Sequence, residues 1–344
     1  MLRGVKMRLW FTNISIFVLL ITVLLISGCE EGSLSGSANG NYLVLEHSLS
    51  WSPDSSMLAY ISNSSVVVKT ISTNKVKQLT GTGYYDDPAW SPDNTKIAYT
   101  TSAYDARADI WIKNSDGSDI AQRFISDTSA DFHPRWSPDG KWIAFHSYRN
   151  GTMDIWLRPS DSSAAETRIA SDPAADQNAE WSPDGTKLAF ESKRVVNTDI
   201  AENFDIWVVD PHGTNKPVQI TKESSNDTLP QWSHDGSKIA FHSDRFSLDG
   251  IWVINSDGTG DAVQVTYGFA EASKHNWSAD DKYIAFISSD NMIYAKRSDG
   301  TGDAITIGKG LEPHFSPDGM KMAYIADESN QYILKVIDLP PELK

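Results

Sequence analysis

Histidines and acidic side chains supply this 344-residue chain with its ionisable chemistry. The types suited to ligation or acid–base work gather just ahead of a recurring aromatic residue. They are Asp86 and Asp87, Asp131 and His133, Asp176 and Asn178, Asp227, His275, and Glu312 with His314. Carboxylates and imidazoles brought to one axis can bind a divalent metal, a cationic ligand or a sugar. No two have the tight spacing of a ligand pair, so convergence depends on the fold. The plainer role is to bond neighbouring connections and solvate a water-filled tunnel. A channel-bound divalent metal is compatible with the set and is not expected. The candidate ligand-binding residues are Asp87, Asp131, His133, Asn178, His275 and His314; no catalytic residue is assigned.

Other polar groups read as structural. His146 and His242 each precede Ser-x-Arg, ending at Arg149 and Arg245, with Ser192-Lys193-Arg194 a shortened relative. An arginine there can clamp an anion, but its recurrence points to a bond within the fold. Asp109, Asp154 and Asp205 head equivalent segments and read as loop-fixing residues. Asp257-Gly258-Thr259-Gly260-Asp261 lacks the remaining carboxylates of a calcium loop and recurs as Asp299-Gly300-Thr301-Gly302-Asp303, so it reads as a hairpin. Neither a Gly-x-Ser-x-Gly elbow nor a Gly-rich phosphate loop is present.

The elements that must position these residues are repeats. An aromatic residue followed by Ser-Pro-Asp-Gly or a variant, then aliphatic-Ala-aromatic, recurs at Trp51, Trp90, Trp136, Trp181, Trp232, Trp277 and Phe315, in steps of 39, 46, 45, 51, 45 and 38 residues. Proline presets the turn, aspartate bonds back to the backbone, and glycine supplies a positive φ. The flanking apolar stretches are strands. A third strand follows each pair, four of them carrying Trp111, Trp156, Trp207 or Trp252. Six fourth strands begin near Val76, Arg123, Thr167, Val218, Val263 and Ala304. This predicts an all-β, seven-bladed β-propeller of four-stranded antiparallel blades. In that reading a spare strand at Tyr42–Leu45 completes the last blade and closes the ring. The repeat Trp-Ser-Pro-Asp-Gly-x-x-Ile-Ala-Phe, with Asp-Ile-Trp and Ser-Asp-Gly after it, resembles the TolB-type propeller repeat. The resemblance covers nearly all of the chain after residue 40 and implies a fold more than a chemistry.

Arg3, Lys6 and Arg8 precede an apolar run from Trp10 to Ile26, ending in Leu25-Ile26-Ser27-Gly28-Cys29. This is the pattern of an export signal, and its end resembles a lipoprotein lipobox with Cys29 as the lipid attachment site. Residues 1–29 are thus expected to be a signal peptide, 30–40 a flexible Gly/Ser-rich tether, 41–340 the propeller and 341–344 a tail. Without the three basic residues of the signal, 27 Lys and Arg face 45 Asp and Glu, a net charge of −18. Such a body repels a phosphate backbone, which excludes non-specific nucleic-acid binding. The single cysteine excludes a disulfide framework and a thiolate metal cluster.

The functional expectation is a monomeric, extracytoplasmic, lipid-anchored binding or scaffolding module for a protein or polysaccharide at the cell envelope. Its ligand face would be the one with the longer, more varied loops, since the Ser-Pro-Asp-Gly side leaves little room for specificity. The alternative is a channel-mouth enzyme, a metal-assisted lyase or hydrolase acting on carbohydrate or a lactone.

Overall fold

The computed structural model describes residues 47–102, 108–125, 128–169, 173–194, 203–213, 216–245, 249–266, 275–328 and 331–344. Each repeat begins with an inner strand, such as His47–Trp51 or Asp176–Trp181, paired antiparallel with a second and then a third strand. The inner strands of the first four sheets, and of the fourth and fifth, lie side by side, and that of the first also meets Ile305–Phe315. This is a radial arrangement of sheets, as a propeller requires.

The hydrophobic cores lie between successive sheets. Ala59, Ile61, Val66 and Val68 of the first sheet pack on Trp90, Ile97 and Tyr99 of the second, and the pattern continues around the molecule. The alanine of the repeat motif is fully buried in all seven copies, beside fully buried Tyr99, Phe145, Phe190, Phe241 and Phe286. A small residue lets neighbouring sheets close on the large ring. Burying each ring is worth roughly 1.5–3 kcal/mol.

The turn joining the first two strands has one construction throughout. The Ser Oγ donates to the Asp Oδ1 at 2.6–2.8 Å. It also accepts the backbone N–H five residues on, at 2.9–3.0 Å. The fourth turn residue has positive φ whether it is glycine, as at Gly140, or Ser55, Asn94 or Asp281. The three exceptions reach back to the preceding turn: Ser55 Oγ accepts from Asp318 N–H, Asn94 Oδ1 from Asp54 N–H, and Asp281 from the N–H groups of His234 and Asp235. A hydrogen bond between turns thus offsets the strain of a side chain at positive φ.

Two expectations are corrected. Among the described residues there are six sheets, not seven separate four-stranded blades: the first five have four strands, and the sixth has six. Ile305–Phe315 is both the outer strand of the sixth repeat and the inner strand of the seventh, pairing with Met292–Arg297 at one end and Lys321–Glu328 at the other. The step between these repeats is the shortest in the chain, 38 residues, and the chain stays extended and paired through Gly308, Lys309 and Gly310 without a turn. Gly310 lets the strand pass, because a Cβ there would collide with the Ile325 carbonyl. Ring closure by the Tyr42–Leu45 strand is not supported either: that segment lies outside the described residues, and the described sheet order ends at Gln331–Asp338. The first and last sheets meet through side chains, with Leu49, Trp51 and Tyr60 packed on Ala323, Ile325, Leu334 and Val336. The described fourth strands are also shorter than expected, two residues long in the second to fifth sheets.

Candidate functional site

The inner strands share an irregularity that places the candidate residues. Each register shift falls just ahead of the repeat aromatic. Three residues before the aromatic, Ser48, Asp87, His133, Asn178, Leu229 and Glu312 all have φ between 48° and 57°. The sixth-repeat counterpart, Lys274, lies outside the described residues. Proline follows in four cases (Pro88, Pro134, Pro230 and Pro313), removing a donor that the bulge would otherwise leave unpaired. Where proline is absent, a side chain takes the N–H group. Leu49 N–H donates to Glu312 Oε2 at 3.2 Å, and Ala179 N–H to His146 Nε2 at 3.2 Å.

The bulges bring Asp87 and His133 together. His133 Nδ1 lies 2.9 Å from Asp87 Oδ2, with the side chains 36% and 20% exposed. Burial opposes charge on this imidazole, but the Asp87 carboxylate outweighs it and raises the pKa. The His146 ring sits 5.1 Å away, buried. Burial holds its pKa well below the ordinary value, with positive neighbours His133 and Arg135 adding to the effect. Next along, Glu191 is buried and its pKa raised by desolvation. It accepts from Leu229 N–H at 2.7 Å and Gln177 Nε2 at 2.5 Å, and Asn178 also bonds to it. Arg135 pairs with Glu180 at 2.8 Å one residue ahead of the aromatic.

The remaining candidates lie elsewhere. Asp131 is fully buried and held by Arg149 at 3.1 Å, and its equivalents Asp176 and Asp227 are held by Arg194 and Arg245 at 2.7 and 2.8 Å. Each arginine stacks over the phenylalanine and tryptophan of its own sheet. The Ser-x-Arg motif therefore ties the start of the inner strand to the end of the second. His275 is buried, and burial lowers its pKa to about 4 against a hydrogen bond with the Ala240 backbone. The backbone carbonyl of His314 accepts from Trp51 Nε1. Cys29 lies outside the described residues. Among the described residues, no three His, Cys, Asp or Glu side chains form a group able to hold a metal ion.

Sequence reasoning noted His146 only as a structural residue ahead of Ser-x-Arg, and missed Glu191, Arg135 and Glu180. A signal was available two residues after the repeat alanine. That position is Ile61, Ile287 or Ile325 in three repeats but Thr100, His146, Glu191 or His242 in the others. It also assigned little room to the turn side. Two depressions nevertheless open there, one of about 240 Å³ beside Trp181, Trp232 and Trp277, the other of about 350 Å³ between Pro183 and His234.

The family model described as the TolB beta propeller domain matches residues 38–203 and 193–344. The chain belongs to the TolB β-propeller family. A TolB homolog from Chlorobium chlorochromatii is 29% identical over 102 residues, 28% of this chain and 22% of that protein. One from Chlorobium luteolum is 29% identical over 126 residues, 36% of this chain and 28% of that protein. The matched stretches thus span about a quarter of these TolB relatives. Among solved structures, TolB from Acinetobacter baumannii superimposes with a TM-score of 0.54 at 22% identity, covering 74% of this chain and 61% of that one. The oligogalacturonate lyase from Vibrio parahaemolyticus reaches 0.68 at 14% identity, covering 88% and 91%. At these identities both show the fold alone.

Proposed function

We propose that this TolB-family propeller is a lipid-anchored, extracytoplasmic binding module, monomeric itself, that recruits a protein or polysaccharide partner at the cell envelope. The observation that carries the reading is the Asp87–His133 pair, a part-exposed imidazole and carboxylate held on two strained bulges of adjacent inner strands. Strain maintained at a part-exposed polar position favours recognition. An imidazole beside a carboxylate acceptor suits a partner offering both hydroxyl or amide donors and acceptors. The lipobox-like Leu25-Ile26-Ser27-Gly28-Cys29 supports the anchor, and the acidic body suits a neutral or basic partner.

The test is chemical cross-linking on intact cells of the source organism, comparing the wild-type chain with an Asp87→Ala/His133→Ala double variant of matched melting temperature. A partner captured by the wild type and lost from the variant supports the site. Equal capture by both overturns it. Cys29→Ser separates the anchor from the site: it should abolish labelling by a fatty-acid probe, and continued labelling refutes lipidation at Cys29.

A further inference from the structure

Three register-equivalent junctions between consecutive sheets each place two aspartates, one heading the third strand of one sheet and one opening the inner strand of the next; all are buried except the part-exposed Asp109. In the junction of Asp109 with Asp131, Arg123 bonds the first at 2.6 Å and Arg149 the second. In that of Asp154 with Asp176, Arg168 bonds the first at 2.6 Å and Arg194 the second. The second junction balances two carboxylates with two guanidinium groups; in the first, Arg149 is shared between Asp131 and Glu166, at 3.1 and 2.7 Å. The third junction, Asp205 with Asp227, has Gln219 in the place of Arg123 and Arg168. Two buried carboxylates there share one cation, Arg245.

The hydrogen bonds show what is missing. Asp205 accepts from Gln219 Nε2 at 2.9 Å and from Thr221 Oγ1 at 3.3 Å, with Asn203 Nδ2 at 3.4 Å. Asp227 accepts from Arg245 Nη2 at 2.8 Å and from the hydroxyls of Ser243 and Thr221. Asp227 N–H donates to the Phe204 carbonyl at 2.7 Å, which fixes Asp227 against the residue preceding Asp205. The other charged groups on the packed elements are engaged. His242 lies 3.4 Å from Asp249, Asp244 accepts from Asn226 N–H at 2.7 Å, and Arg194 is held by Asp176.

We infer that Asp205 and Asp227 hold one proton between them, and that its loss loosens the joint between the fourth and fifth sheets, making this junction a pH-sensitive element of the propeller. The proton removes one of two like charges buried in a site with a single arginine. Consistent with this, burial and the Asp227 charge push Asp205 up from 3.8 to about 7, about a thousandfold in proton affinity. Desolvation likewise raises Asp227, against the pull of Arg245. The folded chain binds this proton more tightly than the unfolded chain. Its stabilisation is therefore complete below the ordinary aspartate pKa and is lost as the pH rises toward 7.

The experiment is an infrared titration of the full-length protein in detergent from pH 5 to 9, with melting curves at each pH. The wild type should show a protonated-carboxyl stretching band that titrates out near pH 7. That band should be missing from Asp205→Asn, which keeps the acceptor for Gln219, and from Gln219→Arg, which restores the balance of the second junction. The melting temperature of either variant minus that of the wild type should rise between pH 5.5 and 8. An unaltered band in both variants, or a melting difference independent of pH, overturns the proposal. If one variant fails to fold, the other decides alone.

Discussion

The indole of Trp51 donates to the carbonyl of His314 at 3.0 Å, joining residues 263 positions apart. The same bond runs from every other repeat tryptophan to the residue just ahead of the preceding repeat's aromatic: Trp90 to Ser50, Trp136 to Ala89, Trp181 to Arg135, Trp232 to Glu180 and Trp277 to Gln231. Phe315 has no ring donor, and its backbone N–H instead donates to Asn276 Oδ1 at 2.7 Å. Tryptophan at this register thus serves as a linker between repeats as well as a core residue. The Trp51–His314 bond links the two ends of the described chain, where strand pairing was expected.

Trp51→Phe should therefore destabilise the whole propeller by about 1–2 kcal/mol, the value of a buried hydrogen bond with a small loss of packing. Trp51→Ala should cost about 3–5 kcal/mol through the cavity it adds. Denaturant unfolding monitored by circular dichroism measures both. Equal losses for the two substitutions would show that the indole N–H contributes nothing.

The turn of the sixth repeat offers a second comparison. Asp281 sits at φ 60° and bonds His234 and Asp235, where the turns of the third to fifth repeats place a glycine against a proline. Asp281→Ala keeps the strained backbone and loses the bonds, so it should destabilise by about 1–3 kcal/mol. Combining Asp281→Gly with His234→Pro recreates the arrangement of the third and fourth repeats and should recover most of that loss. Thermal melting of the three chains checks the ordering.

His146 carries a prediction about proline. Its Nε2 accepts the N–H of Ala179, the register position at which four repeats have proline. His146→Leu should leave that N–H buried and unpaired, at a cost of about 1–3 kcal/mol. Adding Ala179→Pro removes the donor and should restore stability, in the manner of Ile61 with Pro88. Because burial depresses the His146 pKa, its neutral form favours folding at higher pH, and this contribution is lost as the pH falls below the ordinary histidine value. The double variant should show a shallower acid-side decline in melting temperature than the wild type.

These particulars show which features could be read from the chain. The strand pairs and their turns were legible because alternation and Ser-Pro-Asp-Gly act within a dozen residues. The sheet count was not, because it turns on whether the chain stays extended between Ile307 and Leu311, a matter of loop length and of the space Gly310 allows. Asp87 and His133 were found because their stretches precede the aromatic. Their pairing depends on bulges whose positive φ no composition reveals. Asp131 was placed with them although a register shift of the inner strand separates a buried, arginine-bonded Asp131 from the part-exposed His133. His146 was read as structural and Glu191 passed over because they enter the site from second strands, far from the motif that drew attention.

The buried arginines supply the last prediction. Asp176 is fully buried with Arg194 bonded through Nη2 at 2.7 Å and stacked over Phe190 and Trp207. Removing the cation alone, as in Arg194→Leu, strands a carboxylate in the core and should cost about 3–5 kcal/mol. Because burial already raises the Asp176 pKa, that variant should take up a proton on folding and regain stability in acid. Removing both charges, as in Arg194→Leu/Asp176→Leu, leaves no ion uncompensated and should destabilise less than the single change, since a buried ion pair contributes little net stability relative to apolar packing. A double variant weaker than Arg194→Leu would mean that Asp176 anchors the inner strand through bonds independent of the arginine, its side-chain contact with Ser192 being the candidate.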